Sequence, residues 1–279
     1  MNRWSALGLA LMIGSQVLTL AKVEPFWSWN TPICWTGFIL FADGLVFQAR
    51  GASWLRSAPG EFAVLAILSI PLWLVFEFFN LYIENWYYVG LSENLALRLF
   101  GYAWSFGTIW PAIFEGADLV GVARGAGKTG EGTARLFDTA RPTSAALPPL
   151  AIASIALGAA MLLWPIVWPS RYLAAPVWLG FIFLLDPINA WLDAPSLFTR
   201  TRAGNRDLLI NLMASGLLCG LLWEFWNYWS RAKWHYTVPI MEHVKLFEMP
   251  LPGFLGFPAF ALECFTMYVF VRQLARRAL

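Results

Sequence analysis

The chain holds only two histidines, His235 and His243, and neither falls inside an apolar run. No deep imidazole is therefore available to activate a serine or cysteine nucleophile or to complete a His/Glu metal set. Its three cysteines, Cys34, Cys219 and Cys264, all lie in apolar runs and are odd in number, so no disulfide framework is implied and packing thiols are the expectation. Charge is scarce as well: 13% of the 279 residues are charged and the net formal charge is +2, with no basic run of the kind a nucleic-acid surface needs. Neither a metal nor a cofactor is expected from this inventory, and nucleic acid is excluded as a partner.

What the chain has is apolar residues, 59% of the total, with 17 tryptophans and a mean hydropathy of +0.58. Runs that match the roughly 20 residues needed to cross a bilayer occur near 4–22, 29–49, 62–82, 99–122, 148–168, 173–193, 208–229 and 253–271. The predicted fold class is all-α, a polytopic integral membrane protein of about eight spans. With a cytoplasmic N-terminus only Lys22, Arg98, Arg171, Arg231, Lys233 and Lys245 fall outside, and the remaining Lys and Arg fall inside. That bias predicts a multi-pass protein of the cell's inner (plasma) membrane with both termini cytoplasmic. The first run, one Arg followed by an apolar stretch ending in Thr19-Leu20-Ala21, also fits a cleaved secretory signal. Against that, the fifth run is its counterpart in an internal repeat.

The repeat is seen most clearly where Leu72–Gly90, LWLVFEFFNLYIENWYYVG, meets Leu221–Pro239, LLWEFWNYWSRAKWHYTVP. Glu77 falls on Glu224 and Asn80 on Asn227; one residue of slippage puts Trp86 on Trp234 and Tyr88 on Tyr236. Trp35-Thr36-Gly37-Phe38-Ile39 with Asp43 matches Trp178-Leu179-Gly180-Phe181-Ile182 with Asp186, and Pro111-Ala112 with Glu115 resembles Pro258-Ala259 with Glu263. The sequence thus divides into a four-span repeat at 1–122, a cytoplasmic linker at 123–147 and a second four-span repeat at 148–279. Four spans is an even number, so the halves enter from one side and are expected to share a pseudo-two-fold axis along the membrane normal. In the linker, Gly125-Ala126-Gly127-Lys128-Thr129 looks like the core of a phosphate loop. Val122 stands where that motif needs glycine and no strand precedes it, so a solvated linker is the reading.

Six carboxylates fall inside the runs: Asp43, Glu77, Glu115, Asp186, Glu224 and Glu263. A lone charge at the bilayer centre costs about 2.5–3.5 kcal/mol on insertion scales, so these groups should face the bundle interior, and without a basic neighbour such carboxyls favour the neutral, proton-donating form. Structural hydrogen bonding between helices is the plainer use of any one of them. Glu224 and Glu77 are the expected acids or cation stabilisers, Asn227 and Asn80 their orienters, and Asp186, Asp43, Glu263 and Glu115 a second catalytic set. Around the acids stand Trp223, Phe225, Trp226, Tyr228, Trp234, His235, Tyr236, Phe76, Trp86 and Tyr88, the expected substrate-binding wall; interfacial anchoring and core packing are the competing explanations. A neutral acid within aromatic walls suits protonation of a polyene or isoprenoid double bond, because ring faces stabilise a carbocation and an apolar cavity excludes water.

The order within each half, an acid-bearing span, then Trp86-Tyr87-Tyr88 or Trp234-His235-Tyr236, then another acid-bearing span, resembles the membrane lycopene cyclases of the heterodimeric and fungal type and the related carotenoid hydratases. That resemblance implies repeated bundles with intramembrane acids and an isoprenoid or lipid substrate. Their Pro-x-Glu-Glu motif is absent, since no Glu pair follows Met249-Pro250-Leu251-Pro252. The expected function is an intramembrane enzyme acting on an isoprenoid, carotenoid or other long-chain lipid by cyclisation, hydration or isomerisation. A proton- or cation-coupled transporter using the same carboxylates, and a structural subunit of a homo-oligomer or larger membrane complex, are the alternatives. Two geometric expectations follow: Glu77 and Glu224 face inward, and Glu84 pairs with Arg231 across the mouth.

Overall fold

A computed structural model describes residues 2–125, 132–134 and 148–278. The phosphate-loop resemblance falls mostly outside these residues. Helices dominate: α1 (Arg3–Leu20), α2 (Phe26–Arg50), α3 (Trp54–Ser57), α4 (Pro59–Ile83), α5 (Leu95–Gly107), α6 (Ile109–Ala123), α7 (Pro149–Val167), α8 (Ala174–Trp191), α9 (Leu197–Arg202), α10 (Asp207–Trp229) and α11 (Gly256–Ala278). Among the described residues six segments are long and apolar enough to cross a membrane: α2, α4, α7, α8, α10 and the stretch Leu251–Ala278. The chain is therefore a mostly helical membrane protein.

The run at 99–122 is not one helix but two, α5 and α6, broken at Thr108. In an unbroken helix the ring of Pro111 would collide with the carbonyl of Gly107, four residues back. The groups freed by the break are met by Ser69 of α4, whose hydroxyl donates to the Phe106 carbonyl and accepts from the Trp110 N–H at 3.2 Å. Pro258 acts in the same way at the start of α11. The chain four residues before it is a 3₁₀ turn, Leu251–Leu255, instead of α-helix.

α1 packs on α2, and α7 on α8, through backbone contact. A Cβ at Gly8 would meet the Gly37 carbonyl oxygen at 2.4 Å, and one at Gly158 would meet that of Gly180 at 2.7 Å. α6 packs against α10, where the Ser215 hydroxyl donates to the Ile113 carbonyl at 2.7 Å; α11 packs against α8, where Asn189 Nδ2 donates to Thr266 O at 2.9 Å. Trp110 Nε1 donates to the Cys264 carbonyl at 2.8 Å and ties α6 to α11. All three cysteines are free and buried.

Four short strands qualify the all-α expectation. β1 (Trp86–Val89) pairs antiparallel with β2 (Lys233–Tyr236) in the register Trp86↔Tyr236, Tyr87↔His235, Tyr88↔Trp234 and Val89↔Lys233. β3 (Lys245–Leu246) pairs with β4 (Met249–Pro250). These strands define one end of the bundle, here the strand end. At the opposite end part of the linker is docked, not solvated: Thr133 is buried, donates to Asp118 through its N–H (2.8 Å) and hydroxyl (3.1 Å), and accepts from Trp54 Nε1 at 2.8 Å. Asp118 in turn holds Arg50 at 3.1 Å in a buried ion pair.

Candidate functional site

A cavity of about 840 Å³ runs into the bundle from the strand end, between α2, α4, α5, α8, α10 and α11. Its walls are ring systems in contact. Trp73 lies 5.7 Å from Trp223 and 6.0 Å from Trp86, Trp86 lies 6.2 Å from Trp178, and Phe260 packs edge-on against Trp73 and Trp178 at 5.8 and 5.5 Å. Of the ten expected wall residues, Trp223, Trp234, Tyr236, Trp86 and Tyr88 line the cavity. The other five do not. Trp226 is buried behind it against Trp35, Phe76 stacks on Trp178 within the core, and Phe225 and Tyr228 pack on Phe247. His235 points to Glu248, 2.8 Å away, and its ring lies 5.7 Å from that of Tyr87.

Trp35, Trp73, Trp178, Tyr102, Phe106 and Phe260, none of them among the expected wall residues, also line the cavity. The matched Trp35 and Trp178 of the repeat were a usable signal. Tyr102 and Phe106 had none, because they reach the site only through the break that makes α5 a separate helix.

Glu77 and Glu224 face inward, but a tyrosine stands between each and the cavity. Tyr236 donates its hydroxyl to Glu224 Oε1 at 2.8 Å and accepts from Trp234 Nε1 at 2.8 Å. Tyr88 donates to Glu77 Oε1, which also accepts from Trp73 Nε1 (2.8 Å) and Trp86 Nε1 (3.3 Å). The two carboxyls differ in consequence. Glu77 is held by three donors and is partly exposed, whereas Glu224 is fully buried with one donor and leaves Oε2 without a partner among the described residues. Burial, and then the neighbouring carboxylates, push both phenols well above the ordinary tyrosine value, so neither ionises near neutrality.

Asn80 and Asn227 do not orient the carboxyls. Asn227 clamps the backbone of Trp234, donating to its carbonyl at 2.9 Å and accepting from its N–H at 3.0 Å; Asn80 does the same to Trp86 at 2.8 and 3.2 Å and also accepts from Asn85 N–H at 2.8 Å. They anchor the strands, and the strands carry the tyrosines to the carboxyls.

The second set of acids lies away from the cavity. Asp186 accepts from Ser196 Oγ, Leu197 N–H and Phe198 N–H at 2.9, 2.7 and 2.9 Å and so caps α9. Asp43 accepts from Leu55 N–H at 2.9 Å at the start of α3, with Arg56 Nε 3.8 Å away. Glu115 is fully buried near Asp43 and Asp118, and Glu263 is fully buried with its Oε1 3.3 Å from the Phe181 N–H.

The expected Glu84–Arg231 pair is not the one formed. Glu84 takes Arg171 at 2.8 Å, and Arg231 takes Glu24 at 3.2 Å. Each residue ends a long helix and meets the loop that follows α7 or α1, respectively, so proximity to that loop decides its partner. Among the described residues no group of three or more His, Cys, Asp or Glu side chains is arranged to hold a metal ion. No protein-family model, no curated protein and no solved structure matches the chain.

Proposed function

We propose that this chain is an intramembrane enzyme that acts on an isoprenoid, carotenoid or other long-chain lipid by proton donation, in a cyclisation, hydration or isomerisation. The observation that carries the reading is the Glu224–Tyr236 pair: a fully buried carboxyl bonded at 2.8 Å to a phenol that faces a tryptophan-walled cavity. The phenol alone is too weak an acid for the task. With Glu224 protonated the bond reverses: the carboxyl donates to the Tyr236 oxygen and the phenol hydroxyl turns to the cavity, so the carboxyl proton passes to the phenol oxygen as the phenol proton passes to a substrate carbon. A new C–H bond forms, the tyrosine stays neutral, and Glu224 is left as carboxylate to stabilise the cation or take a proton back. Ring faces of Trp73, Trp223 and Trp234 shelter the positive charge.

The same reading includes an architecture of two tandem four-span halves, with α1 and the broken pair α5–α6 completing eight crossings and both termini on the cytoplasmic side of the inner membrane. It draws support from the matched glycine contacts of α1–α2 and α7–α8, and from the strand register, which is centred on Tyr87↔His235 and exchanges Trp86 with Trp234 and Tyr88 with Tyr236.

The test is lipid extraction and mass spectrometry of a polyene-producing host with and without the chain. A product dependent on the chain is expected, lowered about 100-fold or more in Glu224→Gln, the usual scale for loss of a general acid, and clearly less in Glu77→Gln. An unchanged lipid profile with well-expressed protein refutes the enzyme reading; equal losses in the two variants refute the assignment to Glu224.

A further inference from the structure

One cationic side chain at the rim of the cavity forms no ion pair among the described residues. Four cationic side chains line the cavity, and three have carboxylate partners: Arg171 with Glu84, Arg231 with Glu24, and Lys233 with Glu248 at 2.9 Å. Arg98 has none among the described residues. Glu93, the one carboxylate that lines the cavity, forms no ion pair with it.

Arg98 also sits in an unfavourable place. It lies one turn into α5, whose first turn has no acidic residue and whose N-terminal N–H groups are met only by the Asn94 side chain, which accepts from Leu97 N–H at 3.2 Å. A helix N-terminus already carries a partial positive charge, and a cation there is disfavoured by a few tenths of a kcal/mol or more. A guanidinium without an ion pair, set beside an unfilled helix terminus, calls for an acceptor with negative charge. Beyond them the walls are indole and phenyl rings, which call for hydrocarbon.

We infer that the cavity takes an amphiphile with a phosphate or diphosphate head, the head seated against Arg98 and the start of α5 and the tail lying among Trp35, Trp73, Trp178 and Phe260. The inference rests on the long-chain lipid reading and narrows it from hydrocarbon to anionic lipid. A guanidinium binds phosphate oxygens in a bidentate, charge-assisted way. The volume, about 840 Å³, suits one such molecule.

Purified protein in a neutral maltoside detergent is titrated with oleyl phosphate, oleyl alcohol and inorganic phosphate, with binding read by tryptophan fluorescence and by the thermal unfolding midpoint. Oleyl phosphate should bind at least about ten-fold more tightly than oleyl alcohol, the scale of a charge-assisted hydrogen bond, and inorganic phosphate alone should give no shift. Arg98→Gln should bring oleyl phosphate to the level of the alcohol without lowering the unliganded midpoint, and Arg98→Lys should keep most of the preference. Equal binding of phosphate and alcohol, a preference that survives Arg98→Gln, or inorganic phosphate matching the lipid would each overturn the inference. Because the readout is binding, a missing product in the host experiment leaves this result standing. Product formed by a protein with no head-group preference removes the anionic head alone.

Discussion

Replacing Tyr236 by Phe removes one oxygen atom and leaves two groups behind. Glu224 Oε1 loses its phenol donor and Trp234 Nε1 loses its phenol acceptor. A buried group stripped of its partner costs about 1–3 kcal/mol; Trp234 lines the cavity whereas Glu224 is buried behind it, so the sum is about 2–4 kcal/mol. Tyr88→Phe differs, because Glu77 Oε1 keeps the indole donors of Trp73 and Trp86 and no donor is orphaned; about 1 kcal/mol or less is expected. The two variants, unfolded by denaturant in the same detergent, should therefore separate by at least about 1 kcal/mol in the order Tyr236→Phe below Tyr88→Phe. In the host assay Tyr236→Phe should lower product about as far as Glu224→Gln does, since either change cuts the relay. Equal stabilities would show that the Glu77 and Glu224 environments are interchangeable, and full activity of Tyr236→Phe would remove the phenol from the chemistry.

Asp186→Ala deletes a cap that satisfies two backbone N–H groups and a serine hydroxyl and should cost about 2–3 kcal/mol, against about 1 for Asp43→Ala, while product per folded molecule stays near wild type; a 100-fold loss of activity at unchanged stability would return Asp186 to the catalytic set. Burial pushes the Glu248 carboxyl up, but hydrogen bonds from Lys233 and His235 outweigh it and hold the group below the usual carboxylate range. The lowered value means its stabilisation is present above the unfolded carboxylate value, about 4.3, and is lost as pH falls through the folded one. Hydrogen exchange in 245–250, corrected for intrinsic rate, should be level from pH 7 to 5 and rise below about 4; the same profile in Glu248→Gln would refute the role of this carboxylate.

The apolar runs were legible because each long helix must face lipid on one side and the core on the other, which leaves a composition signal twenty residues long. The inward direction of Glu77 and Glu224 was legible for the related reason that a carboxyl in lipid is too costly. What was not legible depends on contacts between distant parts of the chain. Nothing local says that Tyr236 will reach back to Glu224, since both the strand that carries it and the Asn227 clamp that aims it form only in the folded molecule. Asp43 and Asp186 looked like site acids because they interrupt apolar runs, but both stand near the end of a span, where a following short helix needs its N–H groups met. The Glu84–Arg231 expectation assumed that matched positions meet each other. Instead Glu84 meets Arg171 and Arg231 meets Glu24.

The pairing of β1 with β2 has a consequence for how the molecule is made. These strands are far apart in sequence, and six helices lie between them among the described residues. During synthesis β1 emerges with α4 long before its partner exists, so Tyr88 and Glu77 can be bonded early, while the edge of β1 that β2 later covers stays open until α10 has been inserted. Contacts of such long sequence separation close late. The cavity, which needs Trp73 from one side of that gap and Trp223 and Phe260 from the other, is then a product of the last stage of assembly. A chain arrested before α10 would hold most of the tryptophans and no closed cavity.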